Sequence, residues 1–182
     1  MIEITKKITG PVGILNIGYF DIYNPFDDQI YLKELFHKLF KIGETLYFFF
    51  RREEDLTDDD ELTVLRKKIF SHLGQHGQMK YIRYLDQVRF DAIAYLTLDI
   101  GFGNLLVDMF KYFYSVDFFV PINGLTFDEY EDYLDVKGVD DIDGINIILN
   151  SLTNLICIKG YDGDHLRISY NRAIVSFETL GL

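Results

Sequence analysis

The sequence has no tryptophan, one cysteine, three prolines and four histidines in 182 residues. A single cysteine cannot form a disulfide within the chain, so burial and hydrogen bonding must hold the fold, and a reducing compartment, the cytoplasm, is expected. Cys157 lies in "LICIKG" with no histidine or other base beside it, and it reads as a small buried hydrophobe rather than a nucleophile. Pro11, Pro25 and Pro121 each stand where one residue pattern gives way to another, so they punctuate elements and do not form a linker. Gly/Ser tracts, internal repeats and low-complexity blocks are absent as well. Hydrophobic residues at 48 % and charged residues at 26 % suit one domain, residues 1–182, with a sizeable core.

Long hydrophobic runs are also missing. The longest apolar-rich stretch, "FYSVDFFVPI", is interrupted by Asp117 and falls well short of the ~20 residues a membrane helix needs. The N-terminal "MIEITKKITG" alternates polar and apolar residues, unlike a signal peptide with its continuous apolar centre. No membrane partner is expected. Positive charge is scarce: 18 Lys and Arg stand against 29 Asp and Glu, a net charge of -11. A field of that sign repels phosphate backbones and argues against direct nucleic-acid binding, while it speeds encounter with a basic protein partner such as a nuclease or toxin. Solubility alone also accounts for an acidic surface.

Aromatic residues are plentiful, with 16 Phe and 13 Tyr. Some must fill the core, but tyrosine also favours interfaces, where its rigid ring packs and its hydroxyl stays wet.

Residues 2–9 alternate as a strand, and after Gly10-Pro11 residues 12–22 read as a second, making an N-terminal hairpin. Leu32, Leu35, Phe36 and Leu39 recur at helical spacing over 27–41, and Gly43 closes that helix. "TLYFFFRR" (45–52) is a buried strand. Thr57 is an N-cap candidate for a helix over 58–73, with Leu62, Leu65, Ile69 and Leu73 on one stripe and Gly74 at its end. "MKYIRYL" reads as a strand, and the strict alternation over 88–100 favours another, although a helix fits its alanine content. Residues 104–114 look helical and "SVDFFVP" extended. Thr126 and Glu129 form a capping-box pattern opening a helix to about residue 136, with Phe127, Tyr130 and Leu134 inward. "NLICIKG" and "HLRISY" flank Asp162-Gly163 as a C-terminal hairpin, and "AIVSFE" is expected to add a last strand. The sum is an α+β fold: a mainly antiparallel sheet with N-terminal and C-terminal hairpins and about four helices between them.

Familiar catalytic and metal patterns fail on spacing. Asp58, Asp59 and Asp60 would point around a helix axis instead of converging. "DDIDG" does not align with a calcium loop, because Val139 and Asn150 fall where Asp and a bidentate Glu are needed. His72 and His76 have the i, i+4 spacing that grips zinc, but Gly74 between them is expected to end the helix, and "HLGQH" lacks a metalloprotease Glu. No G-x-S-x-G or Ser-x-x-Lys is present. No catalytic residue, resident metal or cofactor is expected.

Two surface runs combine acids with aromatics: "GYFDIYNPFDD", with Tyr19, Asp21 and Tyr23, and "TFDEYEDYLD", with Asp128, Glu131, Asp132, Tyr133 and Asp135. Aromatic anchors ringed by carboxylates suit a surface that steers and pairs with Arg or Lys on a partner.

One stretch suggests a different class. "LDIGFGN" resembles the first motif of the class I S-adenosylmethionine-dependent methyltransferases, in which a strand ends in an acid, a Gly-x-Gly turn passes under the cofactor and a helix follows. Asp99, Gly101 and Gly103 match, and Asp117, 18 residues on from Asp99, stands near where that family places a ribose-binding acid. The resemblance implies an S-adenosylmethionine-dependent enzyme as the alternative function. It covers about 20 residues, and Leu105 stands where the family usually carries glycine. The sequence therefore predicts, first, a non-enzymatic acidic binding protein of the immunity or anti-defence type that inhibits a basic partner. The methyltransferase-like enzyme comes second and a structural or homo-oligomeric subunit third.

Overall fold

The computed structural model describes residues 3–18, 25–52, 61–83, 90–112, 116–122, 124–132, 142–159, 165–176 and 178. They form one eight-stranded sheet carrying helices on both faces. The elements are β1 (Glu3–Thr9), β2 (Val12–Gly18), α1 (Pro25–Leu39), β3 (Thr45–Arg52), α2 (Glu61–His76), β4 (Gly77–Arg83), β5 (Phe90–Thr97), α3 (Phe102–Tyr112), β6 (Val116–Phe119), α4 (Phe127–Asp132), α5 (Ile142–Ser151), β7 (Leu155–Lys159) and β8 (His165–Asn171). The strand order is β1-β2-β8-β7-β6-β3-β5-β4. Every neighbouring pair is antiparallel. The expected α+β architecture holds.

The N-terminal hairpin closes through Gly10-Pro11, with Thr9 opposite Val12 and Gly10 at φ 58°. A positive φ followed by proline's fixed negative one suits a two-residue hairpin turn, and only glycine enters the first position without strain. The two terminal hairpins lie side by side at one end of the sheet, where β2 pairs with β8 from Val12↔Asn171 to Gly18↔His165. At the other end, β3 lies between β5 and β6 and is antiparallel to both, so β5 and β6 run parallel, joined by α3.

Alternation assigns the faces. Leu46, Phe48, Ala94, Leu96, Val116, Phe118, Cys157, Leu166 and Ile168 point to one side, where α1, α2 and α3 close over them with Leu35, Phe36, Phe40, Leu73, Phe102 and Leu106. Tyr47, Ile93, Phe119, Ile156 and Ile158 point to the other, against Phe127 and Tyr130 of α4 and Ile145, Ile148 and Leu149 of α5. A sheet covered on both faces needs strands apolar at nearly every position, which is why "TLYFFF" and "LICIK" read as runs and not as alternations.

Residues 88–100 contain strand β5, which their alternation favoured, and pairing with β3 and β4 settles it over alanine's helical preference. Three sequence expectations are corrected. The helix expected to stop at Gly74 continues to His76 and passes straight into β4 at Gly77, because one glycine weakens a helix without breaking it. A fifth helix, α5, spans Ile142–Ser151, and its inward Ile145, Ile148, Leu149 and Leu152 recur at i, i+3, i+4 and i+7. "AIVSFE" contains no strand among its described residues: the Asn171 side chain accepts the Ala173 N–H at 3.0 Å, and its carbonyl accepts those of Ile174 and Val175 at 3.1 and 2.8 Å, folding the chain into a turn. Among the described residues, no helix is long and apolar enough to cross a membrane.

Candidate functional site

The acidic run "TFDEYEDYLD" begins on α4, and its first turn is closely fixed. Thr126 donates from its backbone N–H and its hydroxyl to Glu129 Oε2, at 2.8 and 2.7 Å, while the Glu129 N–H reaches back to Thr126 Oγ1 at 3.3 Å. This is the expected capping box, and it satisfies donors that a helix start leaves without intrahelical partners. The two hydrogen bonds from Thr126 hold the Glu129 carboxyl below the usual carboxylate range. Just upstream, Gly124 takes a φ of 92°, and Ile122 donates its N–H to the Leu152 carbonyl at 2.8 Å, tying the approach to the end of α5.

The inward side of α4 enters an aromatic nest. Tyr47 of β3 lies 5.6 Å from the Phe127 ring and 5.3 Å from Tyr130, Tyr95 lies 5.1 Å from Phe127, and Phe119 lies 5.2 Å from Tyr130. Most of these contacts are edge-to-face or tilted, the geometry that ring quadrupoles favour. The Tyr47 hydroxyl donates to the Leu125 carbonyl at 3.0 Å, so one ring ties the sheet to the segment that launches the helix. Burial raises the phenol pKa of Tyr130 well above its ordinary value, with the Asp117 charge adding to it. Burial raises Tyr47 as well, helped by Tyr95 and Glu129. Both rings stay neutral and act as packing surfaces.

Asp128 is exposed on the first turn of this anchored helix. Glu131 and Asp132 occupy the helical positions three and four residues further on, which an α-helix sets on one flank with Asp128. The side chains of Glu131 and Asp132, and residues Tyr19, Asp21, Tyr23, Tyr133 and Asp135, lie outside the described residues. The described part of this run, residues 126–132, is thus seated on packed aromatic rings.

The glycine turn is built for other work. Asp99 Oδ1 accepts the Gly101 N–H at 2.7 Å, and the Asp99 carbonyl accepts that of Phe102 at 3.2 Å, forming the start of α3. Gly103 is where α3 presses on α1: a Cβ there would stand 2.6 Å from His37 Nε2 and 3.1 Å from Lys33 Cγ. Asp117 is elsewhere. On β6 it lies level with Phe49 of β3, and through it with Ile93 of β5, six residues before Asp99, or roughly 20 Å along a strand at ~3.3 Å per residue. It also faces the α4 side of the sheet, with Phe119, whereas α3 packs on the opposite side. The turn and Asp117 are not brought together.

The comparisons with known proteins give no likeness to build on. No protein-family model, curated protein or solved structure matches the chain. Any function must therefore be argued from the residues themselves.

Sequence reasoning did not anticipate the polar groups buried under α4 and α5. Asp117, Thr153 and Ser169 are almost fully shielded from solvent. The Thr153 hydroxyl lies 2.6 Å from the Val120 carbonyl and 2.9 Å from that of Leu155, and it accepts the Leu155 N–H at 3.2 Å, stitching the end of α5 to β6 and β7. Asp117 interrupts an apolar run in sequence, and that interruption was the available signal of a special position. Its charge, after burial, also pushes the thiol of Cys157 far above its ordinary value. Cys157 is therefore held as the protonated, unreactive thiol, in keeping with its sequence reading. Among the described residues, no group of three or more His, Cys, Asp or Glu is placed to hold a metal ion.

Proposed function

We propose that this chain is a non-enzymatic acidic binding protein, and in its sharpest form an inhibitor that covers a basic protein, as an immunity protein covers its toxin or an anti-defence factor covers a nuclease. The observation that carries this reading is the net charge of -11, together with an acidic helix seated on a rigid aromatic base. Charge of that size steers a basic partner into encounter. A preorganised helix supports the reading because docking then costs little ordering entropy. Asp128, Glu131, Asp132 and Asp135 are the steering and pairing groups, with Tyr133 as an aromatic anchor beside them. The run containing Tyr19, Asp21 and Tyr23 is a second contact.

The test compares two baits in lysate of the source organism: the tagged protein, and its variant carrying Asp128→Lys, Glu131→Lys, Asp132→Lys and Asp135→Lys. One stoichiometric basic protein, released by rising salt from the first bait and absent from the second, is the expected result. A partner retained by both folded baits overturns the α4 assignment. Recovery of the bait alone, with saturable binding of S-adenosylhomocysteine that Gly101→Val abolishes, would replace the inhibitor with the methyltransferase-like alternative.

A further inference from the structure

The continuation of α2 through Gly74 changes what its two histidines can do. His72 and His76 are four residues apart on an unbroken helix, so they occupy neighbouring positions on one flank, and their ring centroids are 4.4 Å apart with planes inclined at 36°. His76 is exposed and His72 half-buried, so both can be reached from solvent. Ser71 and Gln75 form the adjacent stripe and are hydrogen-bonded to each other at 3.2 Å, which keeps the Gln75 amide occupied beside the pair. Rotation about the Cβ–Cγ bonds turns the imidazoles without moving the backbone.

Two imidazoles at this spacing are the arrangement by which one helical face grips a borderline dication. Imidazole nitrogen suits Zn2+, Cu2+ and Ni2+, whereas Mg2+ and Ca2+ take oxygen ligands. We propose that His72 and His76 form a two-histidine clamp for a transition-metal dication such as Zn2+, at the junction where α2 becomes β4. Among the described residues no third His, Cys, Asp or Glu completes a cluster, so the other coordination positions belong to water or to an external donor. The site is open and of modest affinity. Lys68, exposed one turn before His72, adds a repulsion that solvent largely screens.

The surroundings give the clamp a purpose. Gly74 sits between the two histidines with nothing within 4 Å of where its Cβ would be, and its φ lies outside the left-handed region, so neither packing nor backbone geometry requires a glycine there. A glycine in an exposed helix interior weakens that turn. At Gly77, by contrast, a Cβ would collide with the Tyr95 carbonyl oxygen, which fixes the entry to β4. The last turn of α2 is therefore a weakened turn ahead of a fixed point, and a metal bridging residues 72 and 76 staples it.

The test is calorimetric titration of the full chain with ZnCl2, with MgCl2 as the control. Saturable 1:1 binding of Zn2+ and none of Mg2+ is expected. His72→Gln or His76→Gln should each weaken it by at least the roughly tenfold that even outer partners of metal ligands cost. The double variant His37→Gln, His165→Gln should leave it unchanged. Ring-nitrogen NMR shifts on Zn2+ addition should be confined to His72 and His76. No saturable heat, retention of binding when both His72 and His76 are replaced in a folded chain, or loss in the His37, His165 control would each overturn the clamp.

Discussion

The two faces of the sheet are covered by different chemistry. Beneath α1, α2 and α3 lie mainly stacked phenylalanines and aliphatics, with buried Lys159 over the Phe110 ring: Phe118 packs at 5.4 Å from Phe36, 5.7 Å from Phe40 and 6.1 Å from Phe48, and all four phenylalanines of that stack are essentially inaccessible. Beneath α4 and α5 the rings are tyrosines as often as phenylalanines, and Asp117, Thr153 and Ser169 are buried with them. The first arrangement gains from area removed from water. The second is held partly by oriented bonds, Tyr47 to Leu125 and Thr153 to Val120, which place a helix rather than merely cover a surface. The difference suggests a division of labour: one face supplies stability, and the other positions the acidic helix proposed to meet a partner.

The most severe way to break that contrast is Phe118→Ala. The ring is fully buried at the centre of the larger core, so its loss should lower unfolding free energy by about 3–5 kcal/mol, read from urea denaturation. If the face of α1–α3 is the stabilising one, no single truncation among Tyr47, Phe127 and Tyr130 should cost more. Next comes Gly77→Ala. Its new Cβ would overlap the Tyr95 carbonyl, a backbone atom that cannot swing aside, so β4 must shift on β5. The expected cost is about 1–3 kcal/mol, with loss of hydrogen-exchange protection concentrated in β4. By contrast Gly103→Ala meets the tip of the His37 ring and the stem of Lys33, exposed side chains rather than backbone, and should cost less than Gly77→Ala.

These glycines show how much of the fold was legible beforehand. Strand and helix order could be read because period-two and period-3.6 patterns are strong in "EITKKIT", in α1 and in the capping box at Thr126. What the pattern did not carry was context. Gly74 and Gly77 are identical letters three residues apart; only the carbonyl of Tyr95, brought by a strand that follows β4 in the chain, decides which of them marks the boundary. α5 carries a clear apolar spacing, but the acidic "DDIDG" at its start has the composition of an ion-binding loop as well as of a helix start. The resemblance of "LDIGFGN" to a cofactor turn was real as a local pattern. Its meaning depended on where Asp117 would lie, and β3 inserts between β5 and β6 to set that acid apart. For the acidic site, the sequence marked the α4 run, while the aromatic nest that steadies it required long-range pairing of β3, β5 and β6.

On the positioning face, Tyr47→Phe removes one hydroxyl and leaves the ring in place. The bond to Leu125 at 3.0 Å is partly buried, so a loss of about 1 kcal/mol is expected. The more telling readout is exchange at the amides of residues 125–130. Faster exchange there, with no change under α1–α3, would support the positional role, and uniform loosening would contradict it.

The smallest effect is the most specific to α4. The Glu129 carboxyl is held below its ordinary value by two hydrogen bonds from Thr126. A depressed carboxylate pKa in the folded state means that the folded chain binds the proton less readily than the unfolded one. The stabilisation is therefore present above the unfolded carboxyl value and fades as pH falls through the lower, folded one. Glu129→Gln keeps an oxygen that can accept from Thr126 but does not titrate. The variant should be slightly less stable than the native chain at neutral pH, and the gap should close on acidification through the carboxylate range. Because Glu129 is fully solvated, added salt should shrink the gap as well. A gap that is constant with pH would mean that the cap contributes through shape alone, and the charge at the base of α4 would then be available to a partner instead of being committed to the fold.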